Sequence, residues 1–121
     1  MARYTCSAVV AIPFEQLQAS LAEVLQACHF DIIYDTDEYV MAREQPGRVN
    51  FSKLVTVEVL IDRTTATASE ARLHFVVKND ELPLQLDNHC RQSFDALQQA
   101  VTGCQHWQLL EHQEADSSPL R

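Results

Sequence analysis

The fold of this chain is predicted from the segment Phe51–Arg63, which reads FSKLVTVEVLIDR. Apolar side chains recur at every second position, which is the pattern of a β-strand with one buried face. The face predicted to be buried carries Val55, Val57, Val59 and Ile61. The opposite face carries Thr56, Glu58, Leu60 and Asp62. Such a strand packs one face on a core and leaves the other open.

The segment Thr67–Lys78 repeats this alternation and is predicted to pair with the first strand as a long hairpin, with a turn at Asp62–Thr65. Its buried face would carry Ala71, Leu73, Phe75 and Val77. Its other face would carry Arg72, His74, Val76 and Lys78.

Strands are also predicted nearer the N-terminus. Arg3–Ile12 alternates in the same way, and Phe30–Glu44 contains two strand segments joined by a turn at Asp35-Thr36-Asp37-Glu38. A further turn is predicted at Gln45-Pro46-Gly47, because proline restricts φ and glycine allows a positive φ.

Two helices are predicted from apolar residues at helical spacing. Pro13 suits the first helical position, where its missing N–H costs nothing. The second helix would be capped by Asp87 or Asn88 and end at Gly103. The first stripe is Phe14, Leu17, Leu21, Val24, Leu25 and Cys28. The second stripe is Leu86, Cys90, Phe94, Leu97, Ala100 and Val101.

These elements predict an α+β fold in the order β-α-β-β-β-β-α. An antiparallel sheet of about four or five strands would carry both helices on one face. A ferredoxin-like βαββαβ sandwich is the alternative if Trp107–Leu110 forms a closing strand. Residues 1–110 are predicted to be one domain, and residues 111–121 a flexible acidic tail.

The net charge of −8, from 9 basic and 17 acidic residues, argues against nucleic-acid and membrane-surface binding, since both partners are anionic. A basic protein or a neutral small ligand is a better match. The N-terminus has no apolar signal-peptide core, so we expect a cytoplasmic location.

The four cysteines contain no Cys-x-x-Cys pair and are predicted to be reduced, buried thiols. Cys28-His29 and His89-Cys90 would meet at neighbouring helix ends and make a zinc-type ligand set. Adjacent residues on a helix point about 100° apart, however, so we predict core cysteines and no metal or cofactor.

No catalytic residue is predicted from a motif. The chain contains two glycines, too few for a phosphate-binding loop, and it has no nucleophile elbow. Glu58 and His74 could form an acid–base pair on adjacent strands, which defines a minor enzyme hypothesis. Cross-strand charge pairing is the simpler interpretation of these residues.

The order of elements over Arg3–Gly103 resembles the helix-grip and TATA-binding-protein-like group of small α+β folds. Helix-grip proteins often bind hydrophobic ligands between sheet and helix, so the resemblance implies a ligand pocket. The residues expected to bound it are Leu21, Val24, Phe75, Phe94 and Leu97. The segment Val57–Cys90, with Phe75-Val76-Val77-Lys78-Asn79 and Leu82-Pro83-Leu84, also looks like small conserved cyanobacterial proteins of unknown function.

The leading functional hypothesis is a non-enzymatic protein-interaction module, such as an adaptor, assembly or regulatory factor, that forms a dimer or docks a protein on its open sheet face. A partly apolar sheet face can mark a partner surface. The predicted surface is Thr56, Glu58, Leu60, Arg72, His74 and Val76. The alternatives are a small hydrophobic-ligand carrier and an enzyme that uses Glu58 and His74.

Overall fold

The structure is a computed structural model that describes residues 1–62, 69–82 and 88–115. The strands are β1 (Ala2–Ala11), β2 (Phe30–Asp35), β3 (Tyr39–Glu44), β4 (Thr56–Asp62), β5 (Glu70–Asn79) and β6 (Gln108–Glu114). The helices are α1 (Phe14–Ala27) and α2 (His89–Thr102), and a single 3-10 turn spans Phe51–Lys53.

The six strands form one sheet in the order β2-β3-β4-β5-β1-β6, with every neighbouring pair antiparallel. Strands β2 to β5 form a meander that returns the chain to β1. Helix α1 connects β1 to β2 and helix α2 connects β5 to β6, so each crossover passes over strands that lie between its ends.

Both helices cover the same face of the sheet, where they contact β1, β2 and β5 and each other. The core forms between this face and the two helical stripes, and its largest fully buried side chains include Phe30, Phe75 and Phe94. The other sheet face has no helix on it within the described residues. None of the described helices is long and apolar enough to cross a bilayer.

The α+β class and the antiparallel sheet are confirmed, but the expected number of strands was too low. The additional strand is β6, which pairs with β1 and reaches Glu114, four residues beyond the boundary predicted at residue 110. Trp107 is buried and donates its indole N–H to the Val101 carbonyl at 3.0 Å, which holds the start of β6 on the core. Of the predicted tail, residues 116–121 lie outside the described residues.

The closing strand required by the ferredoxin-like alternative is therefore present. The sheet nevertheless has six strands, so the four-stranded βαββαβ sandwich is not the observed fold. The meander from β2 to β5 supplies the difference, because it contributes four consecutive strands between the two helices.

The strand predicted from Phe51 begins only at Thr56. The backbone N–H of Lys53 donates to the Asn50 carbonyl and that of Leu54 to the Phe51 carbonyl, and these two hydrogen bonds close a turn. The Phe51 side chain is 75% exposed. Pro13 precedes α1 as its N-cap instead of starting it.

The turn after β3 and the cap of α2 form as predicted from the sequence. Gly47 has a φ of 111°, which is the glycine conformation expected for the Gln45-Pro46-Gly47 turn. Asn88 caps α2 by accepting a hydrogen bond from the Arg91 N–H at 3.0 Å. The predicted turn at residues 63–65, the predicted strand start at 67–68, Pro83, Leu84, Leu86 and Asp87 lie outside the described residues.

Candidate functional site

The open sheet face carries all six residues of the predicted partner surface. Strands β4 and β5 pair so that Leu60 lies opposite His74 and Glu58 lies opposite Val76. The buried positions alternate with these residues along both strands. The long hairpin predicted from sequence therefore directs this set away from the helices.

A shallow apolar depression of about 450 Å³ lies on this face between β4 and β6. It is lined by Thr5, Cys6, Ser7, Leu60, His74, Phe75, Val76, Gln113 and Ala115. Leu60 is 48% exposed, so a large aliphatic side chain faces solvent there. Gln113 and Ala115 were missed by the sequence analysis, because they lie in the stretch expected to be a flexible tail.

Glu58 forms a polar cluster beside this depression. Its carboxylate accepts a hydrogen bond from the Tyr39 hydroxyl at 2.5 Å and lies 2.6 Å from the Lys78 ammonium. The hydrogen bonds from Lys78 and then from Tyr39 hold the pKa of Glu58 below its ordinary value. Burial, followed by the bond to Glu58, raises the pKa of Tyr39 to about 12.

The acid–base pair proposed for Glu58 and His74 is not the arrangement observed for Glu58. The contacts of its carboxylate are with Lys78 and Tyr39. His74 lies between Leu60 on β4 and Ser7 on β1. The cross-strand charge pairing expected for Glu58 is observed with Lys78.

The open face is close to neutral although the chain is acidic. By strand register it carries the basic residues Arg3, Arg43, Arg72 and Lys78 and the acidic residues Asp31, Glu58, Asp62, Glu70 and Glu111. The whole chain has 9 basic and 17 acidic residues. Most of the acidic excess therefore lies elsewhere, and charge gives no preference for a basic partner on this face.

The residues expected to bound a ligand pocket lie in the core. Leu21, Phe75, Phe94 and Leu97 are at most 1% exposed, and Val24 is 6% exposed. All five belong to one continuous apolar cluster between sheet and helices. Their side chains pack against one another and against neighbouring core residues.

The two helices run antiparallel, as the metal hypothesis required, and Cys28, His29 and His89 line one groove, but Cys90 is turned into the core. Cys90 is fully buried and directs its thiol towards the Val77 carbonyl at 3.6 Å. The Cys28 thiol faces the Ala96 carbonyl at 3.9 Å. Within the described residues, no three His, Cys, Asp or Glu side chains form a group that could hold a metal ion.

The cysteines are free thiols, as predicted. Cys6 and Cys90 are buried, whereas Cys28 and Cys104 are partly buried against the core. Burial raises the pKa of Cys6 to about 12, with a further contribution from Glu114, and raises the pKa of Cys90 to about 12. Both groups are therefore neutral thiols at physiological pH.

Glu44, which is buried, and His89, which is partly buried, form a hydrogen-bonded pair that was not predicted from the sequence. Both carboxylate oxygens of Glu44 lie within 2.9 Å of His89 Nε2, and one of them also accepts the Val55 N–H at 3.1 Å. Glu44 follows Val40 and Ala42 on the buried face of β3. A charged residue at a core position of an alternating strand was the available signal, since such groups require a partner.

The comparisons with known proteins do not assign this chain to a family. No protein-family model matches its sequence, and no curated protein matches it at a significant level.

Proposed function

We propose that the protein is a non-enzymatic interaction module that docks protein on its open sheet face, and that the occupant of this face is a second copy of the chain. The observation that carries the proposal is the uncovered face itself. Six strands present a continuous surface, and a shallow apolar depression of about 450 Å³ lies on it between β4 and β6. An exposed apolar patch on a sheet face can mark an association surface.

The size of the face supports a dimer. Six strands spaced about 4.8 Å apart, with about six residues each at 3.4 Å, make a surface of roughly 29 by 20 Å. Packing two such faces would bury roughly 1,200 Å² in total, which is the lower limit of stable specific interfaces. Two sheets packed face to face are a common architecture.

The charge of the face also supports a second copy as the partner. Two molecules with a net charge of −8 repel each other over most of their surfaces. The open face is nearly balanced, so two copies can meet there with little net repulsion. Its alternating basic and acidic residues can pair across a two-fold axis, where each contact occurs twice.

The two alternatives have weaker support. The residues expected to bound a hydrophobic-ligand pocket fill the core, which disfavours a carrier of helix-grip type. Glu58 is engaged by Lys78 and Tyr39, which disfavours an acid–base pair with His74. A cytoplasmic location suits the interaction module and remains part of this proposal.

The test is the replacement Leu60→Arg, which puts a positive charge at the centre of the proposed interface. We expect the wild-type chain to sediment as a dimer and the variant as a monomer. Burying two unpaired charges, one from each copy, costs about 3 kcal/mol or more, which is roughly a hundredfold or more in Kd. Analytical ultracentrifugation over a concentration series measures both species.

Leu82→Arg is the matched control, because Leu82 is 64% exposed and lies in the segment leading to α2. It should leave the dimer intact. A wild-type chain that stays monomeric at the highest soluble concentration would contradict the second-copy proposal. In that case a photo-crosslinking residue at position 60, introduced in the native host, would test whether another protein docks on the face.

A further inference from the structure

The imidazole of His74 lies near the middle of the open sheet face. Strands β4 and β5 are the third and fourth of the six strands, so they form the centre of the sheet. His74 is near the middle of β5, where it pairs with Leu60 on β4 and with Ser7 on β1. It also lines the apolar depression. A second copy that packs on this face therefore covers His74.

His74 has no polar partner within its own chain. Its imidazole makes no hydrogen bond and no ion pair with any residue that the structure describes. The side chain is partly buried, and Leu60 and Val76 line the depression beside it. Buried polar groups need hydrogen-bond partners, so solvent has to satisfy the ring nitrogens of His74 in the single chain.

The charged groups on one side of His74 are matched with one another. Arg72 lies two positions before it on β5 and pairs with Asp62 on β4. The Arg72 guanidinium is also 3.9 Å from the carboxylate of Glu111 on β6. The open-face positions of β1 beside His74 carry no charge. They are Thr5, Ser7 and Val9.

The carboxylate on the other side of His74 is engaged as well. Glu58 on β4 lies 2.6 Å from the Lys78 ammonium and accepts a hydrogen bond from the Tyr39 hydroxyl. The bonds from Lys78 and Tyr39 hold the pKa of Glu58 below its ordinary value, so it stays ionised and paired in mild acid. A protonated His74 would therefore add a positive charge to a set of charges that is already matched.

From this arrangement we propose that the dimer on the open face is regulated by pH through His74: the neutral imidazole permits association, and the protonated imidazole opposes it. This inference rests on the dimer proposed above. Histidine changes its charge between about pH 5 and 8. A second copy removes water from the imidazole, and burying a charge without a counterion is costly. Protonation therefore favours the single chain, and association releases the protons.

Acidification also acts on the chain as a whole. Protonation of exposed carboxylates reduces the net charge of −8 and weakens the repulsion between copies, which has the opposite sign to the effect of His74. A variant that lacks the imidazole keeps this general effect. The difference between the wild type and such a variant therefore isolates the contribution of His74.

The test is analytical ultracentrifugation of the wild type and His74→Gln at about pH 7.5 and about pH 5.5, at one ionic strength. Each protein is compared with itself, as the ratio of its dimer Kd at the lower pH to its Kd at the higher pH. Each dimer buries two imidazoles, so the wild-type ratio should exceed the His74→Gln ratio by roughly tenfold to a hundredfold. Near-ultraviolet circular dichroism at both pH values verifies that each protein stays folded.

His106→Gln is the matched control, because it removes an imidazole from the helical side, where His106 lies 2.7 Å from Glu23 of α1. Its ratio should equal that of the wild type. A wild-type ratio equal to or below that of His74→Gln overturns the inference and leaves the dimer standing. A wild-type chain that is monomeric at both pH values contradicts the dimer itself and this inference with it.

Discussion

Replacing Phe94 by alanine should lower the free energy of unfolding by about 3 to 5 kcal/mol, the cost of deleting a buried aromatic ring. Phe94 is fully buried, and its ring stacks on Tyr4 with centroids 5.5 Å apart. The Arg91 guanidinium lies 5.4 Å from the same ring. A domain of this kind is stable by only about 5 to 15 kcal/mol, so the change is a large part of the total.

Urea unfolding of the wild type, Phe94→Ala and a control Phe51→Ala measures this effect. Phe51 is 75% exposed, so its replacement should change stability by about 0.5 kcal/mol or less. A cost below about 1 kcal/mol for Phe94→Ala would mean that the ring lines a space that is already empty. That result would favour the hydrophobic-ligand carrier, which was the alternative function.

Replacing Glu81 by glutamine should lower stability at neutral pH by about 2 to 3 kcal/mol, because charged hydrogen bonds at a buried site are lost. Glu81 is 6% exposed and accepts the backbone N–H groups of His89 and Cys90 at 3.1 and 2.8 Å. It also accepts the Asn79 side-chain N–H at 2.6 Å. One carboxylate therefore joins the end of β5 to the start of α2.

The effect of Glu81→Gln should depend on pH in one direction. Burial alone would raise the pKa of Glu81, but the bonds from Asn79, Cys90 and His89 outweigh it and hold the pKa below 4.5. The ionised Glu81 carboxylate therefore stabilises the fold fully above pH 4.5, and this stabilisation is lost as the pH falls through the lower pKa of the folded state. The difference between wild type and variant should shrink over that range.

Urea unfolding at neutral pH and at a series of acidic pH values measures this change. Glu38→Gln is the control, because Glu38 is exposed in the turn between β2 and β3 and should show little effect at any pH. A difference between wild type and Glu81→Gln that stays constant across the acidic range would contradict the assignment of the carboxylate as the charged cap of α2.

Periodic patterns in the sequence were sufficient to predict the class of the fold. The alternation in β4 and β5 sorts Val57 and Phe75 to one face and Leu60 and His74 to the other, and the structure follows this division. This division follows from the strand itself, because successive side chains of a strand point to opposite faces regardless of the rest of the structure. The apolar stripes of both helices are local in the same sense.

The chemistry of the candidate sites depends on residues far apart in the chain. Glu44 and His89 are 45 positions apart, and nothing near either residue indicates its partner. Gln113 reaches the open face only because β6 pairs with β1, where Ser7 is its partner. The polar sequence after Leu110 concealed this strand, because an edge strand with most side chains exposed needs little apolar character.

The sequence by itself determined the class of the fold, both helices, the first five strands, and which side chains of β4 and β5 face away from the core. The tertiary structure alone decided the sixth strand, the cap that Glu81 places on α2, and the pairing of Glu44 on β3 with His89 on α2. The physical reason is the distance along the chain over which each property is decided. Burial and periodicity follow from neighbouring residues, whereas the partner of a buried charge is set by how distant segments pack together.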